Sequence, residues 1–257
     1  MKPFSSTLAT AAFALASTFT VSISHADDTP PSVVIVHGAF ADGSDWAKVV
    51  PYLQAEGVSV TVVQNPLTSL GDDVAATQRA LNNQAGEVVL VGHSWGGTVI
   101  SEAGAHDKVS ALVYVAAFAP DAGQASGEQG KGAPTPPGIS QIKADANGFL
   151  YMTPHGMATD FAQDLPAEQT AVMTATQGPI KASAFDDRTT VAAWKTKPSW
   201  YVLATEDRMI HPEVQRSAAK RIGATLTELR ASHVPQQSQP AEVAKVILQA
   251  VHSVAAQ

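Results

Sequence analysis

The 257-residue chain contains no cysteine. That removes disulfides, thiolate metal ligands, a cysteine nucleophile and lipid attachment through an N-terminal cysteine. Charge is sparse as well: only 15% of residues are Asp, Glu, Lys or Arg, with 16 Lys and Arg against 23 Asp and Glu. The formal net charge of −7 is spread without like-charge runs, which argues against nucleic acid or an anionic membrane surface as a partner. No His/Asp/Glu group has metal-ligand spacing, so neither a metal nor another cofactor is expected. No internal repeat is present.

What the chain has is apolar bulk, 45% of its residues, enough for one large α/β domain. The N-terminus reads as a processing signal. Lys2 is a minimal positive region, residues 8–23 are apolar with interspersed Ser and Thr, and Ser24-His25-Ala26 offers small residues at the cleavage-determining positions. Residues 1–26 are therefore expected to be a signal peptide cut after Ala26, leaving a periplasmic or secreted protein from Asp27. The apolar stretch is short and diluted by hydroxyls, which argues against a retained membrane anchor or stable membrane association after processing.

Beyond the leader, apolar runs recur at 33–36, 58–63, 88–91, 109–115 and 200–204, with a more polar one at 225–229. Continuous rather than alternating runs are expected of parallel strands buried on both faces. Helical patterns lie between most of them, at 46–56, 72–84, 95–106 and 212–222, with a last one at 240–251. Alternation of this kind predicts an α/β fold with a doubly wound, mostly parallel sheet. Residues 120–197 break the rhythm without a strong strand run. A structureless loop of that length is implausible in a compact domain, so they are expected to form an inserted helical cap over a core of residues 27–119 and 198–257.

The strand at 88–91 runs directly into Gly92-His93-Ser94-Trp95-Gly96, a G-x-S-x-G elbow in which a tight strand-to-helix turn lifts a serine hydroxyl above the sheet edge. A serine is a weak nucleophile until a base takes its proton. Asp207 lies just past the end of the 200–204 strand, and His233 just past the end of 225–229; carboxyl strand ends are where catalytic groups gather in open α/β sheets. Ser94, His233 and Asp207 can then converge as nucleophile, base and orienting acid. Glu206 and Asp121 are competing positions for the acid. Among the other histidines, His93 reads as support for the turn and His37 as a structural hydrogen-bonding residue. His106, His155, His211 and His252 have no chemical partner at useful spacing. After the first strand comes His37-Gly38-Ala39-Phe40, and the backbone N–H groups of Ala39 and Trp95 are expected to form an oxyanion hole.

These motifs resemble the α/β-hydrolase superfamily, and in particular small bacterial hydrolases similar to plant methylesterases and hydroxynitrile lyases. The resemblance covers nearly the whole mature chain and carries the chain order Ser, Asp, His. It implies a serine hydrolase but names no substrate; the leading expectation is cleavage of a small ester through an acyl-enzyme. Hydroxynitrile lyases of this type have a lysine after the catalytic histidine and a threonine in the oxyanion loop; here Val234 and Ala39 stand there, which argues against cyanohydrin cleavage. Ser94 argues against the dehalogenases and epoxide hydrolases of this fold, which use an aspartate. A lactonase or carbon–carbon bond hydrolase would use the same triad, and an idle, ligand-binding member of the fold is the non-enzymatic alternative. The expected partner is a small uncharged ester, since no basic cluster is available to hold an anion. Phe40, Phe149, Tyr151 and Phe161 are candidate pocket residues, and the Trp95 ring would add bulk if it faced the pocket. The oligomeric state is left open.

Overall fold

Val33, Val34, Ile35 and Val36 make a strand because burial on alternate sides satisfies all four: Val33 and Ile35 join one apolar cluster, Val34 and Val36 the other. In the computed structural model, which describes residues 30–256 together with Met1, this strand is β1 (Ser32–Val36). The predicted leader otherwise lies outside the described residues. Five more strands complete the main sheet: β2 (Val60–Val63), β3 (Val88–His93), β4 (Val109–Val115), β8 (Ser199–Ala204) and β9 (Thr225–Leu229). Their order is β2-β1-β3-β4-β8-β9, and every pairing is parallel.

The helices divide between the two faces. Leu53 of α1 (Val50–Ala55) and the apolar stripe Val243–Val254 of α8 (Pro240–Ala255) pack on one side with Trp46. On the other side lie α2 (Leu70–Asn82), α3 (Trp95–Ala103) and α6 (Pro212–Arg221). A two-sided core of this kind is what continuous apolar strands require.

Two expectations need correction. The pattern at 46–56 is not one helix: a 3-10 turn, Gly43–Trp46, precedes a short α1 in which Pro51 occupies the first turn, where its missing N–H is tolerated. The segment between β4 and β8 is also not purely helical. Besides α4 (Pro154–Gly156), the π-helical turn Met157–Phe161 and α5 (Ala167–Thr176), it carries an antiparallel sheet of β5 (Ile142–Ala144), β6 (Phe149–Met152) and β7 (Ile180–Lys181). Asp145 accepts the N–H groups of Asn147 and Phe149, and Gly148 takes a φ of 75° to close the β5–β6 turn. A short helix α7 (Pro235–Ser238) precedes α8.

Candidate active site

Ser94 sits between β3 and α3 with φ 51° and ψ −117°, a backbone conformation that costs a non-glycine residue free energy and persists only where its surroundings enforce it. The surroundings are crowded backbone. A Cβ on Gly92 would lie 2.5 Å from the Gly96 carbonyl oxygen, and one on Gly96 would lie 2.5 Å from that of Val36. The glycines of the motif thus let α3 press against β3 and β1, which holds the serine in its strained turn. Ser94 Oγ is free of hydrogen-bond partners among the described residues, and the residue is 7% exposed.

The loop after β1 lies against the same serine: a Cβ on Gly38 would come within 2.9 Å of Ser94 Cβ. His37 holds that loop. Its Nε2 accepts the Asn65 N–H at 3.0 Å, so Nδ1 carries the proton and donates to the Gly38 carbonyl at 2.9 Å. Burial keeps this imidazole below its ordinary pKa and therefore neutral. The backbone N–H groups of Ala39 and of Trp95, the first of α3, have no acceptor among the described residues.

Asp207 and His233 meet as their strand-end positions predict. His233 Nδ1 lies 2.7 Å from Asp207 Oδ2, and both side chains are buried. The carboxylate is held by three further donors. Its Oδ1 accepts the N–H groups of Met209 and Ile210 at 2.7 and 2.9 Å, and Oδ2 also accepts Gln215 Nε2 at 2.6 Å. Gln215 escaped sequence reading. Its only signal is a polar residue three and four positions before the buried Ala218 and Ala219 on α6. The competing acids are elsewhere: Asp121 is paired with Lys195, and Glu206 with Arg230 at 2.6 Å, both on the surface.

His93 packs its ring 4.8 Å from that of His233, and its Nε2 donates to the His233 carbonyl at 2.8 Å. The Phe161 ring stands edge-on to His233 at 5.0 Å, and Phe40 is edge-on to Phe161 at 6.3 Å. Two of the four candidate pocket residues are therefore at the site. Phe149 and Tyr151 are not. On β6 the buried Met152 and the core-packed Leu150 point inward, and strand alternation sends their neighbours out. Tyr151 is exposed, and Lys181 Nζ lies over the Phe149 ring. The Trp95 indole is fully buried, donates to Asp73 Oδ2 at 2.7 Å and meets Phe185 edge-on. Among the described residues no group of three or more His, Asp or Glu could hold a metal, and no helix is long and apolar enough to cross a membrane.

The model of the alpha/beta hydrolase family matches residues 33–246. The chain belongs to that family. A pyrethroid hydrolase of Sphingobium wenxiniae is 26% identical over 253 residues, covering 85% of this chain and 87% of the relative. Methylesterase 2 of Arabidopsis thaliana is 35% identical over 104 residues, which is 34% of this chain and 40% of that one. The crystal structure of a pyrethroid hydrolase from Sphingobium faniae JZ-2 superposes with a TM-score of 0.77 at 24% identity, covering 88% of this chain and 99% of that one. These α/β-hydrolase relatives are named as hydrolases and esterases, and carbon–oxygen cleavage of carboxylic esters is the activity they support.

Proposed function

We propose that this α/β-hydrolase cleaves a small, uncharged carboxylic ester through a Ser94–His233–Asp207 triad and an acyl-enzyme. The observation that carries the reading is the buried 2.7 Å His233–Asp207 pair at the strand ends, packed on His93, the residue before a serine held in a strained elbow. Asp207 fixes the imidazole with Nδ1 protonated, which leaves Nε2 as the base for the serine proton. The Ser94 hydroxyl has no competing partner. Serine–histidine bonds are often long before substrate binds, and tighten in the reacting complex.

In this mechanism Ser94 Oγ attacks the ester carbonyl while His233 takes its proton. The N–H groups of Ala39 and Trp95, free of other acceptors, receive the developing oxyanion; one such donor contributes about 2.7–4 kcal/mol in the transition state. His233 then returns the proton to the departing alcohol. Water, activated by the same imidazole, releases the acid and regenerates the serine.

Phe40 and Phe161 supply the apolar wall beside His233. A cavity of about 190 Å³ opens on the Phe40 side, lined by Lys48 of the core and by Val172, Met173 and Thr176 of α5. The names of the pyrethroid hydrolase and the methylesterase point to ester bonds as well. The leader pattern supports action outside the cytoplasm. A fluorophosphonate probe tests the core of the proposal: it labels the native protein and not Ser94→Ala. Equal labelling of both would overturn it, and a panel of esters and lactones of graded size then defines the substrate.

A further inference from the structure

Asp45 is a buried carboxylate that the triad does not use. It is carried on the turn Gly43–Trp46, which Asp42 caps by accepting the Ser44 N–H at 2.7 Å and which the fully buried Trp46 anchors. Asp45 Oδ2 accepts Gln236 Nε2 at 2.6 Å. Gln237 Nε2 reaches both Asp45 Oδ1, at 3.0 Å, and the Asp45 carbonyl, at 2.6 Å. Three residues further along the same segment, Lys48 Nζ donates to the Gln237 carbonyl at 3.1 Å. Both glutamines belong to α7, which begins two residues after His233. The segment before α1 thus clamps the turn that carries His233, although nearly the whole chain separates them.

His93 lies between Asp45 and the same turn. A carbonyl can only accept, so the bond from His93 Nε2 to the His233 carbonyl puts the His93 proton on Nε2. Burial holds His93 well below its ordinary pKa, so Nδ1 is a bare lone pair; it has no hydrogen-bond partner and faces Asp45 Oδ2 at 3.9 Å. His93 is therefore wedged between the Asp45 carboxyl and the His233 main chain. Burial holds the Asp45 carboxyl above its ordinary range, and the two amides only partly offset this.

We infer that Asp45 is a second positioning carboxylate, fixing the backbone of His233 through Gln236 and Gln237. The inference rests on His233 being the base of the proposed triad. Asp45 contacts no reacting atom; it acts through its neighbours. The charged or titratable groups around His233 are Asp207 from the loop after β8, His93 at the end of β3, Asp45 before α1, and Asp164 of the insert, which accepts the Ser232 N–H at 2.9 Å. The Arg208–Asp160 pair flanks them at 2.6 Å. Of these, Asp207 bonds the imidazole directly, and Asp45 is the carboxylate bonded to the helix that follows it.

The test compares Asp45→Asn, Gln236→Met and His233→Ala with the native protein, with folding checked by circular dichroism. Asp45→Asn is expected to lower kcat about tenfold or more with KM within about twofold, as for a lost charge-assisted contact that orients the base. Gln236→Met removes one of the two amide links and leaves Asp45 in place, so kcat falls with KM again nearly unchanged. Folded Asp45→Asn with native kcat overturns the inference, as does a kcat loss that only tracks the folded fraction. If Asp45→Asn does not fold, Gln236→Met decides: reduced kcat at native KM supports the clamp, and native kcat refutes it. Retained activity in His233→Ala would instead overturn the triad itself.

Discussion

Gln215 Nε2 and His233 Nδ1 share one oxygen of Asp207, at 2.6 and 2.7 Å. The same glutamine amide also donates to the Ile210 carbonyl, and its Oε1 accepts the Ala204 N–H, so it ties the end of β8 to the loop that presents Asp207. Replacing it with leucine removes three bonds from one buried side chain. The expected result for Gln215→Leu is a loss of stability and a kcat about tenfold lower with KM nearly unchanged, since a carboxylate short of one donor orients the imidazole less well. Steady-state kinetics alongside denaturant unfolding would check this; native kcat would show that the other three donors suffice.

The proposed triad predicts a grouped loss. Ser94→Ala, His233→Ala and Asp207→Asn should each reduce turnover by roughly 10⁴-fold, and double substitutions should add little, because the three act as a unit. Asp121→Asn and Glu206→Gln should retain near-native turnover, as both carboxylates are engaged on the surface with Lys195 and Arg230. A large loss on either, with activity spared in Asp207→Asn, would move the acid.

How far these positions were legible depends on how local their cause is. The strands at Val33–Val36 and Val88–Val91 are visible because burial on both faces leaves an unbroken apolar run, and Ser94 because its elbow demands small residues within a few positions. Asp207 and His233 follow from strand ends. Gln215 and Asp45 do not: each is a polar residue in a turn or helix whose role is set by partners across the fold, in the case of Asp45 by Gln236 at 191 positions' remove. The small sheet of the insert was hidden by the shortness of its strands, although Asn147-Gly148 marks its turn. Phe149 and Tyr151 were misplaced because the inward side of a four-residue strand cannot be read without its partners.

That misplacement makes a discriminating experiment. Met173→Ala should change the ranking of esters by alcohol and acyl size, with each lost apolar contact changing discrimination by about 1–3 kcal/mol, because Met173 lines the cavity beside Phe40. Phe149→Ala and Tyr151→Ala should leave the ranking as it is. Equal losses on every ester in Met173→Ala would indicate damaged packing rather than a changed pocket.

Processing offers an independent check. Protein recovered from outside the cytoplasm should begin at Asp27, as N-terminal sequencing would show. Removing residues 1–26 should leave activity intact, because β1 begins only at Ser32. An exported, active form that still begins at Met1 would refute the leader.

Asp73 makes stability depend on pH in an unusual direction. It is buried beneath α3, where it accepts the Trp95 indole N–H at 2.7 Å and the backbone N–H of Leu67 at 2.8 Å. Burial outweighs these two donors and raises its pKa to about 6. In the unfolded chain an aspartate titrates near pH ~3.9. Between roughly those two values the folded protein keeps a proton that the unfolded chain releases, so this contribution is complete below pH ~4 and is lost as pH rises through about 6. Asp73→Asn cannot titrate. It is less stable at every pH, because its single amide oxygen cannot accept from both donors as the two carboxyl oxygens do, but its deficit relative to native protein should shrink by on the order of 1–2 kcal/mol between pH ~4.5 and ~7.5. Urea unfolding of both proteins across that range measures the difference directly. A deficit constant with pH would mean that Asp73 keeps one protonation state throughout, and that the Trp95 and Leu67 donors outweigh its burial.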